Sequence, residues 1–239
     1  MSDNVSGVPR LAWRLSVVAA AAFILGPLGA HFGLTKPLTG LAVFALGGVL
    51  SLTSAVLGII GALRHSGEAR SAALRGLGIG GLCSIIFISL LARGRSVPRI
   101  NDITTDTDRP PKFVAALKAP QNADRDMTYP GPSFADQQKR GYPDIAPLLL
   151  PIPPSVAYAK ALDAAKQTPN WVLTRDDAAA LALEGTDTSQ LFRFQDDFVI
   201  EIREDVGGSV VEMRSKSRDG QGDFGVNAAR IRGFFAKLK

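Results

Sequence analysis

Cysteine is almost missing. Cys83 is the one cysteine in 239 residues, so no disulfide can form within one chain. Histidine is nearly as scarce, and both His31 and His65 precede residue 97. Residues 97–239 therefore hold neither type. This excludes, in that part, a His- or Cys-ligated zinc site, a Ser-His-Asp triad and a cysteine nucleophile. Any chemistry there rests on carboxylates, Lys, Arg, Tyr or Ser. Acids are scarce in the first third. Residues 1–96 hold eight Lys/Arg but only Asp3 and Glu68, which leaves 19 basic and 20 acidic residues for the rest of the chain. The overall formal charge of +5 thus comes from the N-terminal part. A nucleic-acid-binding C-terminal part loses its electrostatic support.

Charge is wholly absent from three stretches: 15–34, 38–63 and 76–92. A membrane-crossing helix needs about 20 apolar residues, with a range of about 17–25. All three qualify, and none shows the polar face of a helix on a water-soluble core. The sequence thus predicts a three-helix transmembrane region over 1–96, in contact with the lipid bilayer. With no Asp, Glu, Lys or Arg in any span, an ion or substrate path is not expected. Small residues recur at four-residue spacing: Gly47 and Ser51, Ser54 and Gly58, then Gly76, Gly80 and Ser84. Such faces let helix backbones approach closely. They suit packing among the three spans, and also a membrane-protein partner or a homo-oligomer. With the N-terminus inside, Arg10, Arg14, Arg64, Arg70 and Arg75 lie inside. Lys36, Arg93, Arg95 and Arg99 lie outside. The positive-inside rule leans slightly to that orientation.

Residues 97–154 are rich in proline and read as an extended arm with short helical turns near 111–118 and 132–140. From 155 to 239 the pattern is that of an α+β domain. A short strand is expected at 148–151 and a helix at 155–167. Strands follow at 171–174, 180–186, 191–204 and 209–215. In the last two, apolar and polar residues alternate with period two. A helix over about 224–238 has Asp223 as its expected N-cap and an apolar stripe of Phe224, Ala228, Ile231, Phe235 and Leu238. The expectation is an antiparallel four- to five-stranded sheet with helices on one face. Its β-α-β4-α order is similar to that of TATA-box-binding proteins.

Three segments carry a family resemblance: "DITTDTDRPPKF", "FRFQDDFVIEIR" and "RSKSRDGQGDFGVNAARIRGFF". Over about 97–239 the chain resembles the domain of unknown function 1499 family. The family pattern falls here on Arg214, Ser215, Ser217, Arg218, Gly220, Asp223, Gly225, Asn227, Arg230 and Ile231. Asp219 stands where a small apolar residue is more usual. The resemblance implies no particular activity. Its relatives often carry signal peptides or lipoprotein signals, which implies an extracytoplasmic domain.

Two groups of candidate residues remain open at this stage. Arg214, Ser215, Ser217, Arg218, Asp223, Asn227 and Arg230 suit an anionic ligand at a helix start. Arg218, Asn227 and Arg230 would form its centre. The same cations would equally pair with Asp196 or Asp197, which point to opposite faces of a strand. Asp102 and Asp106, with Asp108, suggest a cation loop. No closing acid sits at the spacing calcium needs, and Asx turns explain the run as well. Neither a metal nor a cofactor is implied, no catalytic residue is assigned, and the sequence leans against an enzyme. The leading expectation is a membrane-anchored protein of a bacterial inner membrane. Its periplasmic domain would bind a ligand or another protein, as an accessory subunit of a membrane complex. The alternative is a carboxylate- or arginine-based enzyme acting on an anionic envelope substrate.

Overall fold

The computed structural model describes residues 7–239. The first six, Asp3 among them, lie outside the described residues. The chain divides into two compact units, one carrying residues 7–95 and the other most of 96–239.

The first unit contains helices α1 (Gly7–His31), α2 (Pro37–Arg64) and α3 (Gly67–Arg95). All three are long and apolar enough to cross a membrane. The shortest has 25 residues, or roughly 37 Å at about 1.5 Å per residue, against a hydrocarbon core of roughly 30 Å. Their burial is inverted relative to a water-soluble bundle. The buried residues of α2 are Gly40, Gly47, Gly48, Ser51, Ser54, Gly58 and Gly61. Large apolar side chains such as Leu25, Leu46, Val56, Leu82 and Ile85 face outward. This is the distribution expected where the surroundings are as apolar as leucine and close backbone packing drives association.

The recurrent small residues meet one another inside this unit. A Cβ on Gly76 would lie 2.7 Å from the backbone of Ala12, and one on Gly58 would lie 2.8 Å from Leu77 N. The single Ser54 hydroxyl proton is shared between Ala12 O at 2.8 Å and Gly76 O at 3.1 Å. Ser51 and Ser84 share a hydrogen bond of 3.1 Å. The spacing read in the sequence thus serves packing among the three helices.

The second unit is α+β. Its strands are β1 (Asp102–Thr104), β2 (Leu148–Leu150), β3 (Trp171–Asp177), β4 (Ala182–Thr188), β5 (Gln195–Asp205) and β6 (Gly208–Ser217). Helices α4 (Pro132–Gly141), α5 (Pro154–Lys166) and α6 (Val226–Leu238) complete it. The sheet is antiparallel, in the order β1-β6-β5-β4-β3, and β2 also pairs with β6. The β-α-β4-α core is the expected one. The arm contributes more than an extended cover, because β1 within it is a sheet strand. β1 and β2 pair with opposite ends of β6, at Arg214–Lys216 and Ser209–Val211. Thr105 bridges the gap: its N–H donates to Met213 O and its hydroxyl accepts from Met213 N–H, both at 2.9 Å. The outer edge of β1 is closed by Gln138 of α4, which bonds both the N–H and the carbonyl of Thr104.

The two sheet faces differ in kind. One packs Leu183, Phe198, Ile200, Val211 and Met213 against alanines of α5 and against Ala228, Ile231, Phe234 and Leu238 of α6. Trp171 lies 4.0 Å from the Phe198 ring centroid and 5.3 Å from that of Phe234. Phe198 crosses over Gly185, where a Cβ would come within 2.5 Å of the ring. That close approach explains a glycine in mid-strand. Period two then places Glu184, Asp197, Val199, Glu212, Arg214 and Lys216 on the other face. The chain at 105–130 covers them, adding Phe113, Ala116 and Met127 around Val199.

Two expectations at α6 are corrected. The N-cap is Gly225, in the left-handed region at φ 82°, and Asp223 lies before it. Phe224 is 66% exposed and outside the apolar stripe, whose place is taken by Phe234. The glycine supplies the left-handed turn that enters the helix, and this turn swings Phe224 outward.

Candidate functional site

Strand β6 and the turn into α6 carry the family motif, and alternation along β6 splits it between the two faces. Arg214 and Lys216 point to the covered polar face, Ser215 and Ser217 toward α6. All four are buried.

On the polar face Arg214 is held from every side. Its Nε and Nη2 donate to the two carboxylate oxygens of Asp102 at 2.8 and 2.7 Å. It also donates to the carbonyls of Pro111 and Met127. Its guanidinium lies 4.9 Å from the Phe113 ring centroid and 5.6 Å from that of Tyr129. Burial, with Asp102 nearby, pushes the Tyr129 hydroxyl up to about 12, so it stays protonated at neutral pH. Lys216 Nζ donates to the same Asp102 at 2.9 Å. Asp102 itself is fully buried. Such a fork-to-fork pair is the geometry that suits arginine and that lysine does not reproduce.

Arg218 continues on this face. Its Nε and Nη2 donate to Asp197 at 3.0 and 2.6 Å, and its other contacts are Gln195 and Thr186. Asp197 also accepts from Asn122 at 2.9 Å and Thr186 at 3.0 Å, and pairs with Arg125 at 3.4 Å. Its two oxygens are therefore taken up by donors of the same domain. Burial holds Arg125 below the usual arginine range; Asp197 opposes this and the charge of Arg218 adds to it.

On the helix face Arg230 joins α6 to the sheet. Its Nε donates to Asp187 at 2.9 Å and its Nη2 to Asp196 at 2.5 Å. Its Nη1 donates to Ser215 Oγ at 2.8 Å. Ser215 in turn donates to Asn227 Oδ1 at 2.7 Å, and Asn227 Nδ2 donates to Ser217 Oγ at 2.9 Å. Asp223 accepts the N–H groups of Gly225 and Asn227, each at 2.8 Å. Burial pushes the Asp223 carboxyl up, and these N–H bonds oppose the shift. Asp223 thus meets free donors of the helix start without being the N-cap residue.

The structure brings together Ser215, Ser217, Asp223, Asn227 and Arg230. It does not bring Arg218 to them, because Arg218 lies on the other sheet face. Asp196 and Asp197 do point to opposite faces. Asp196 pairs with Arg230, and Asp197 with Arg218 and Arg125, so two of the motif cations make the ion pairs expected of them. Asp102 and Asp106 do not converge on a cation site either. Asp102 binds Arg214 and Lys216. Asp106 accepts the N–H groups of Asp108 and Arg109 at 2.9 and 2.8 Å, an Asx turn. Burial pushes the Asp106 carboxyl up, but the two N–H bonds and Arg109 outweigh it and hold it below the usual carboxylate range.

Two buried carboxylates escaped the sequence reading. Glu184 accepts backbone N–H groups of Val114, Ala115 and Ala116 at 2.9–3.1 Å and pairs with Arg175 at 3.3 Å. It fastens the covering segment to the sheet. Glu212 pairs with Arg203 and with Arg109. The available signal was an acid in mid-strand between apolar neighbours, as in Leu183-Glu184-Gly185.

No curated protein and no solved structure matches the chain. The model of the family described as "Protein of unknown function (DUF1499)" matches residues 102–238. That range takes in β1, all of β6 and the ion-paired motif, and it is more than half of the chain. The chain therefore belongs to the DUF1499 family.

Proposed function

We propose that this chain is a membrane-anchored interaction module. Its α+β domain lies on the extracytoplasmic side of a bacterial inner membrane and engages another membrane protein as an accessory subunit. One observation carries the reading. The motif arginines 214, 218 and 230 each face a buried carboxylate of the same domain. A motif spent in this way shapes the domain and leaves recognition to the outer surface. The motif residues first read as ligand contacts then act as the latch that closes the sheet against α6 and against the covering segment. Orientation rests on the slight excess of arginine on the N-terminal side and on the secreted relatives that the family resemblance brings.

The test is photo-crosslinking in native membranes, with the reactive side chain at Leu149 or Val172. These are 65% and 64% exposed in the α+β domain. The expected result is a discrete adduct with one membrane protein. The reading fails if no adduct forms and the purified chain instead turns over a small anionic substrate.

A further inference from the structure

Phe224 is an aromatic side chain in the wrong place for a water-facing surface. It is 66% exposed, and its backbone stands at φ 54°, in the left-handed region that favours glycine. The turn around it is firmly held. Asp223 accepts the N–H groups of Gly225 and Asn227 through its carboxylate, and that of Val226 through its carbonyl at 3.1 Å. The N–H of Asp223 donates to Ile100 O at 3.2 Å. The ring is therefore held outward by a fixed turn. Val226, just beyond, is 45% exposed.

Neighbours inside the same domain tell where this turn lies along the chain. A Cβ on Gly225 would lie 3.5 Å from Val97 Cγ1, and one on Gly222 would lie 3.1 Å from Arg99 Cγ. Val97 is two residues beyond Arg95, the last residue of α3. Two residues of chain reach at most about 7 Å. The uncharged run of α3 ends at Ala92, and three more helical residues add about 4.5 Å. Val97 is thus within about 12 Å of the end of the apolar run by chain length alone, whatever the direction of the chain. The headgroup layer beyond the hydrocarbon is roughly 5–8 Å thick on each side. Arg99, in the same domain as the turn and beside Gly222, is exposed. An aromatic and an aliphatic side chain beside an arginine is the chemistry of an interfacial anchor.

We infer that the Phe224–Val226 turn inserts into the headgroup region of the phospholipid bilayer that α3 crosses. It gives the α+β domain a second hold on the membrane beside its covalent tether. The inference goes beyond the proposed function and does not depend on which side of the membrane the domain occupies.

The test uses the full chain in phosphatidylcholine–phosphatidylglycerol vesicles, with Cys83→Ala as background. Single cysteines at Phe224→Cys, Val226→Cys, Val206→Cys and Val49→Cys carry an environment-sensitive fluorophore. The quencher is a lipid with a nitroxide near the headgroup end of its acyl chain. Val206 lies in the β5–β6 turn and is fully exposed, and Val49 is an outward-facing residue of α2. The expected result is quenching at 224 and 226 severalfold stronger than at 206. Val49 should be quenched most by a nitroxide deep in the chain. Quenching at 224 and 226 no stronger than at 206 overturns the inference. So does a blue-shifted but unquenched label at 224, which would mean a protein partner covers the turn. An unquenched label at Val49 would remove the membrane reading of the helices and this inference with it.

Discussion

Arg214 shows how a single side chain is committed to the fold. Its side chain is 3% exposed, and its bidentate partner Asp102 is fully buried. Removing one partner of a buried pair costs about 3–5 kcal/mol, because the other charge is left without compensation. Arg214→Ala leaves Asp102 with Lys216 alone, so it should destabilise the α+β domain by up to about that amount. Arg214→Lys should recover little, since an ammonium cannot reproduce the fork. The pair Arg232–Asp144 is a control, with side chains 44% and 54% exposed. Arg232→Ala should cost under about 1 kcal/mol. Urea unfolding of the chain in detergent micelles, followed through Trp171, measures both. Asp106 supplies a pH test. Its carboxyl is held below the usual range, so its stabilisation is complete above an unfolded pKa of about 3.9 and is lost as pH falls through the folded value. Asp106→Asn keeps one acceptor oxygen and lacks this titration. The stability difference between the parent and Asp106→Asn chains should therefore be constant near neutral pH and shrink below about pH 4. A difference that grows on acidification would contradict the assignment.

At the scale of elements, Gly225 and Glu184 make distinct predictions. Gly225 has φ 82°, and a Cβ there would meet Tyr142 and Val97 at 3.4 and 3.5 Å. Gly225→Ala should cost about 1–2 kcal/mol from the left-handed backbone alone and loosen the start of α6. Hydrogen exchange in 225–229 would report it. Glu184→Leu should release the segment near 113–118 and leave Val114, Ala115 and Ala116 without their shared acceptor. Their exchange should rise while the amides of β5 stay protected. These elements were unequally legible. Period-two alternation in 195–217 exposed β5, β6 and the opposed directions of Asp196 and Asp197. The three spans were legible because an uncharged run of that length has few other readings. β1 was not legible: Asp102-Ile103-Thr104 is too short to show a period, and its partner on β6 lies over a hundred residues away. Glu184 was hidden for a related reason. The donors that make its burial tolerable lie in a segment with no long periodic pattern, read only as a short helical turn. Arg218 was misplaced because the last strand was expected to end at 215, whereas β6 runs to Ser217 and the Arg218 side chain still follows the alternation of Arg214 and Lys216.

The whole molecule combines three helices of inverted burial with a domain closed by internal ion pairs. The proposed extracytoplasmic placement of the domain makes the first prediction. A phosphatase fused after Lys239 should be active in intact cells, and a fluorescent protein fused there should be dark. The opposite pattern would place the domain in the cytoplasm. The central claim is that the family motif is used up inside the domain, and a double-mutant cycle on Arg218 and Asp197 in the full chain tests it most directly. Side chains in contact couple by about 0.5–3 kcal/mol. Either single change, Arg218→Met or Asp197→Leu, should destabilise strongly by leaving a buried charge without its main partner. The double change should regain a large part of that loss, because apolar replacement of a buried pair is often neutral or better. Losses that simply add, or an Arg218→Met chain that melts like the parent, would contradict the account and return Arg218 to the surface as a ligand contact.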